Sequence, residues 1–252
     1  MKSNDIKMVN GELLRQMIIA GSNHLFNHYP KIDALNVFPI PDGDTGTNMM
    51  MTIQSGVKNI VNVETSHCGE LASAFSRGLL LGARGNSGVI LSQLFRGLYK
   101  GLDGFDEVNA IDLGKAFKMG VAQAYKAVMK PTEGTILTVS RCAAEKATQI
   151  VKYDDSTVAV IYGMYLQSKR TLAQTPEMLP ILKKSGVVDA GGQGLVYIFE
   201  GMWSVISGGK MIMPKTAEEV SSEKADYLYC VEAVAKRGEG SSEGLEKALS
   251  AL

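Results

Sequence analysis

The chain has 252 residues, 45% of them apolar, and 26 Lys and Arg balance 26 Asp and Glu. A net charge of zero removes the electrostatic footprint of a dedicated nucleic-acid or anionic-membrane binder. Three widely spaced cysteines, Cys68, Cys142 and Cys230, support neither a disulfide framework nor a Cys-rich zinc site, and no apolar run reaches the ~18 residues of a membrane span. These features predict a cytoplasmic protein with no nucleic-acid partner and no integral membrane segment.

Apolar positions recur at three- and four-residue intervals from Leu13, Leu14, Met17 and Ile18 to Leu25. That is the period of a helix, and Asn10 is its natural cap. Comparable stretches follow at 48–62, 69–83, 88–100, 110–129, 136–152, 156–174 and 192–207, with a short one near 177–184. The chain therefore reads as all-α, with eight or nine helices. Caps are expected at Thr47, Ser87 and Asn109, and at Thr175-Pro176 with proline opening a helix. Gly101 and Gly186 fall where helices should stop. Two prolines in Leu35–Pro41 predict a stiff extended loop there, because they cannot donate to an interior strand.

After residue 207 the composition turns Gly-, Ser- and Glu-rich as far as 226. This predicts a domain over 1–207, a linker over 208–226 and the beginning of a further domain over 227–252, a segment too short to bury a core by itself.

Four polar, glycine-containing loops stand before four of the expected helices. In Pro41-Asp42-Gly43-Asp44-Thr45-Gly46-Thr47-Asn48 two carboxylates lie among glycines directly before a helix. Mg²⁺ is held by one or two such oxygens plus phosphate and water, and a helix N-terminus supplies amide donors for an anion. An EF-hand does not fit, since its glycine and final glutamate positions hold Thr47 and Ile53. An isolated D-G-D is more often an ordinary capping turn.

Gly82-Ala83-Arg84-Gly85-Asn86-Ser87-Gly88 has the small residues and donors of a phosphate cradle, or equally of a tight helical hairpin, and lacks the Walker A pattern. Lys130-Pro131-Thr132-Glu133-Gly134-Thr135 and Val188-Asp189-Ala190-Gly191-Gly192-Gln193-Gly194 repeat the theme. An up-and-down arrangement would gather all four loops on one rim, where they could meet one nucleotide with metal.

At these motifs, together with Asn36-Val37-Phe38-Pro39-Ile40 ahead of the first and Gly186-Val187 ahead of the last, the chain resembles the nucleotide-binding domain of bacterial fatty acid kinase. That domain is related to the L subunit of dihydroxyacetone kinase, and the likeness covers roughly residues 8–207. The resemblance implies an antiparallel eight-helix barrel that binds ATP with Mg²⁺ at one end. It implies transfer of the γ-phosphate to a fatty acid held by a separate carrier protein, giving an acyl phosphate for phospholipid synthesis.

Carried over by position, Asp42 and Asp44 resemble the metal-binding carboxylates, with Asn36 as a third ligand. Thr47 and Asn48 would meet phosphate. Gly85, Asn86 and Ser87 would line the nucleotide phosphates, and Thr135 and Asp189 would sit on the nucleotide side. Arg84 would stabilise transferring charge or pair with an acidic neighbour. The same resemblance leaves open a homodimer of the full-length protein. Rival readings are a dihydroxyacetone or polyol kinase subunit and a nucleotide-binding regulatory module without turnover.

His24 and His28 have helical spacing but no third zinc ligand, and His67 is isolated. The thirteen methionines are expected in the core, and Lys115, Lys118 and Lys126 on a solvated face.

Overall fold

The computed structural model describes residues 6–222, so the stretch expected to begin a further domain, 227–252, lies outside the described residues. Eight long helices carry the fold: α1 (Gly11–Phe26), α3 (Thr45–Ile60), α4 (Cys68–Leu81), α5 (Gly85–Leu102), α6 (Ala110–Ala127), α7 (Ile136–Ile150), α8 (Thr157–Met178) and α10 (Ala190–Ile206). Three short ones, α2 (Tyr29–Asp33), α9 (Pro180–Ser185) and α11 (Ala217–Ser222), and two three-residue strands, β1 (Met8–Asn10) and β2 (Glu107–Asn109), complete them.

Each long helix packs on the next in chain order, and α10 returns to α1. The eight form a closed antiparallel ring, in agreement with the all-α expectation. Its interior is apolar, built from side chains such as Leu14, Met17, Met49, Ile53, Phe75, Leu79 and Leu91. Burial of these stripes, at about 25 cal/mol per Å² of apolar surface, is what holds helices of ordinary propensity in place. A pocket remains along the inside, lined by Leu94, Phe95, Phe117, Met164, Leu195 and Phe199.

Several local expectations are met. The Asn10 side chain accepts from the N–H of Leu13 and that of Asn109 from Asp112, each at 2.9 Å. Gly186 ends α9 in the left-handed conformation at φ 68°. The 35–41 segment forms no strand.

Others are corrected. Gly101 lies inside α5, close against the backbone of Ala116, and does not stop the helix. Pro176 lies inside α8, not at the start of a helix. The carbonyl of Leu172, which the proline cannot use, accepts the Thr175 hydroxyl at 2.7 Å instead. Pro180 is the proline that opens the following helix.

At one end β1 and β2 close the ring as a two-stranded antiparallel ribbon. The other end carries the four glycine loops. After α10 the chain runs along α1, where the side chains of Asn23 and Asn27 donate to the carbonyls of Ile212 and Met213 at 2.9 and 3.0 Å.

Candidate functional site at the loop-bearing rim

The rim is assembled by short contacts between helix N-termini. Gly85, in the left-handed region at φ 55°, brings its backbone against the Asn48 amide of α3. The Ser87 hydroxyl reaches the Thr45 carbonyl at 3.5 Å. Gly194 of α10 presses on the Met49 thioether, and Gly191 on Ile136 at the start of α7. Asp44, Ser87, Thr135 and Asp189 therefore stand at the same end of the molecule.

The first turn of α3 begins at Thr45, three residues earlier than expected, and its N-cap Asp44 makes no side-chain capping bond. Thr47 is accordingly not the cap. Its N–H and hydroxyl donate to Asp33 of α2, at 2.9 and 2.7 Å. The sequence reading missed Asp33; its signal was Tyr29-Pro30, a proline-led first turn that makes α2 a short helix. Burial pushes the Asp33 carboxyl above its ordinary range, Thr47 and Gly46 pull it back, and the charge of Asp44 adds to the rise. Asn36 is buried and donates through its amide to Asp42 at 2.7 Å. Asp42 is exposed, Asp44 partly so, and Gly43 between them turns at φ 66°.

α5 also starts early, at Gly85 rather than after Ser87, and its N-cap Arg84 offers no side-chain cap. The loop is pinned to α3 by the Arg84 N–H, which donates to the Thr52 hydroxyl at 3.2 Å. Gly82 and Gly88 sit where a side chain would strike Ser55 and Thr52. Among the described residues the N–H groups of Gly85, Asn86 and Ser87 have no protein acceptor, and the exposed Arg84 guanidinium has no acidic partner. Amides left open at a helix start favour an anion, through both their hydrogen bonds and the helix dipole.

The other two loops are closed on themselves. The Thr135 hydroxyl caps α7 by accepting from Leu137 N–H at 3.4 Å, and donates to Thr132 at 2.8 Å. Glu133 is held by Arg141 and Thr138, both at 2.8 Å. Asp189, only 5% exposed, accepts from Gly192 of its own helix at 2.7 Å. Burial pushes its carboxyl up to about 6.

Among the described residues no three Asp, Glu, His or Cys side chains group as a protein-only metal site. The donor set of Asp42 and Asp44 suits Mg²⁺, which takes few protein oxygens and completes its shell with phosphate and water. His24 bonds to Glu200 and His67 to Asp106, at 3.2 and 3.0 Å.

Residues 39–204 match the model of the DAK2 domain. The chain is 45% identical over 222 residues to protein YloV of Bacillus subtilis, covering 86% of this chain and 40% of that protein. To an uncharacterized Staphylococcus haemolyticus protein it is 44% identical over 247 residues, covering 92% and 45%. It thus spans less than half the length of these relatives. Among solved structures, the dihydroxyacetone kinase of C. freundii in complex with AMP-PNP and Mg²⁺ superposes with a TM-score of 0.60 at 18% identity, over 77% of this chain and 34% of that one. The fold, the four-loop rim and the match over most of the ring agree, and the chain belongs to the DAK2 domain family.

Proposed function

We infer that this chain is the ATP-binding domain of a fatty acid kinase, which transfers the γ-phosphate to the carboxylate of a fatty acid held by a separate carrier protein. The observation that carries a phosphate site at the rim is the open start of α5, whose Gly85 lies on Asn48 of α3, at the same rim as the carboxylates of Asp42 and Asp44. In this reading Asp42 and Asp44 hold Mg²⁺. Asn36 orients Asp42 through its amide and offers its remaining amide oxygen as the third ligand. Asn48 faces phosphate, Thr47 borders it by position with both of its polar hydrogens on Asp33, and Gly85, Asn86 and Ser87 supply donors. Thr135 and Asp189, whose polar atoms are spent on helix caps, border the nucleotide by position.

Bound Mg²⁺ supplies neutralisation of phosphate charge. Arg84, exposed beside the cradle, adds a second positive charge. A fatty carboxylate has a pKa near that of Glu, about 4.3, so it is ionised at neutral pH and attacks without a general base. The residues need only position and neutralise, as in phosphoryl transfer generally.

The fatty acid as acceptor rests on the resemblance of the P-I-P-D-G-D-T-G and G-A-R-G-N-S-G motifs. Because the chain spans less than half of its relatives, turnover, carrier recognition, homodimerisation and a role in phospholipid synthesis are proposed for the full-length protein.

The test is ATP affinity with and without Mg²⁺ for the parent, Asp42→Ala and Asp44→Ala, followed by phosphorylation assays on the full-length protein. Loss of Mg²⁺-dependent affinity in both variants and carrier-dependent acyl phosphate formation are expected. Phosphorylation of dihydroxyacetone alone would remove the fatty acid assignment.

A further inference from the structure

The two halves of the ring repeat one another. β1 and β2 pair about Val9 and Val108, with Met8 opposite Asn109 and Asn10 opposite Glu107. That register has a two-fold axis through its central pair. Each strand ends in an asparagine that caps the helix after it, with the same bond to the third residue on. α4 and α8 also begin alike. His67 and Ser156 cap them, and the N–H of Cys68 bonds to Asp106 just before β2 while that of Thr157 bonds to Ile6 just before β1.

The tightest helix crossings agree. Gly201 of α10 lies on the backbone of Ala20 and Gly21 in α1, and Gly97 of α5 lies on Met119 and Gly120 in α6. Gly21 meets the carbonyl of Ile198, and Gly120 that of Leu94. One half-turn of the ring thus carries α1, α3, α4 and α5 onto α6, α7, α8 and α10. Phe95-Arg96-Gly97-Leu98-Tyr99 and Phe199-Glu200-Gly201-Met202-Trp203 keep a trace of this in sequence.

The same rotation relates the rim loops in pairs, but their chemistry differs. With Gly46-Thr47 laid on Gly134-Thr135, Asp42 and Asp44 fall on Lys130 and Thr132. The second half has no metal-binding pair. The starts of α3 and α7 are taken by Asp33 and Thr135. Where α5 starts with its first amides open, the equivalent start of α10 is capped by the buried carboxylate of Asp189, with Gly191 against Ile136 of α7.

We propose that the domain is a fused pair of four-helix units with two equivalent rim cradles, the first open to phosphate and the second permanently filled by the Asp189 carboxylate. The side chain stands at the start of α10 where a phosphate would stand at the start of α5, leaving one phosphate site per chain. The space left in Asp189→Gly, that of a CH2COO⁻ group, is large enough to admit a small carboxylate such as formate.

The test is thermal unfolding of Asp189→Gly at pH 7.5 in sodium formate against sodium chloride at equal ionic strength. Formate should raise the variant's midpoint by several degrees over chloride, and leave the parent and Asp189→Asn unmoved. Equal midpoints in the two salts overturn the proposal. If Asp189→Gly does not fold on expression, refolding it from urea should recover helical signal in formate and not in chloride; equal recovery overturns the proposal. Two AMP-PNP molecules bound per parent chain would also overturn it. The formate result does not depend on the kinase reading, so failure of nucleotide binding counts against that reading alone.

Discussion

Asp33 takes both polar hydrogens of Thr47, the backbone N–H at 2.9 Å and the hydroxyl at 2.7 Å, so a residue from a separate short helix organises the first turn of α3. The Asp33 carboxylate is half-buried. Removing it leaves both of these donors short of an acceptor. Asp33→Ala should lower stability by about 2–3 kcal/mol, since a hydrogen bond to a charged group contributes about 1.5–3 kcal/mol and water replaces part of it. Asp33→Asn, which keeps one acceptor, should lose less. Urea denaturation midpoints check the order, and equal losses in the two variants would contradict the role assigned to the second oxygen.

Gly85 joins backbone conformation to the proposed phosphate contact. Its φ of 55° is left-handed, and a side-chain carbon would lie 2.5 Å from the Asn48 amide nitrogen. Gly85→Ala should cost about 1–2 kcal/mol of stability from the strained backbone. Its affinity for ATP with Mg²⁺ should fall by about tenfold or more, as Asn48 and the α5 amides are displaced together. Denaturation and calorimetric titration separate the two effects; unchanged affinity in a folded variant would place the phosphate elsewhere.

Asp189 makes stability depend on pH in a definite direction. Its folded pKa, about 6, lies above the ordinary 3.8. Between these values the folded chain holds the proton more tightly than the unfolded one. Its contribution is therefore fully present below about pH 4 and is lost as pH rises through 6, by an amount on the order of 3 kcal/mol. Asp189→Asn should lack this component, so parent stability should fall relative to the variant between pH 4 and 7. Parallel curves would indicate that burial does not perturb the carboxyl.

The glycine crossings should be equally intolerant of a methyl group. Gly201→Ala would place a carbon 2.5 Å from the Ala20 carbonyl, and Gly97→Ala would press on the Met119 carbonyl. Both obstacles are backbone, so the helices must separate, at a cost of about 1–3 kcal/mol each. Comparable drops in unfolding midpoint are expected from the two substitutions, and a silent change at either would contradict the close approach.

The amino-acid sequence alone determined the helical class, the position of every long helix to within a few residues, and the caps whose bonds are local. Asn10, Asn109 and Gly186 were legible because their partners lie within four residues of them. It also singled out the four loops, because the same pattern of glycines and polar residues recurs before four helices. Only the tertiary structure decided which of those helix starts are open. Thr47 and Ser87 looked like caps, but α3 and α5 begin earlier, and Thr47 is satisfied by Asp33, fourteen residues away along the chain. Asp189 reads in sequence as a nucleotide-side residue; the tertiary structure adds that its buried carboxylate caps α10 through Gly192 and that its loop lies against Ile136 of α7. β1 and β2, three residues each, carry no periodicity of their own, and it is their pairing across the ring that reveals the two-fold relation. Bonds that span the ring depend on closure of the eight helices, and that closure is a property of packed apolar faces, not of any short stretch of chain.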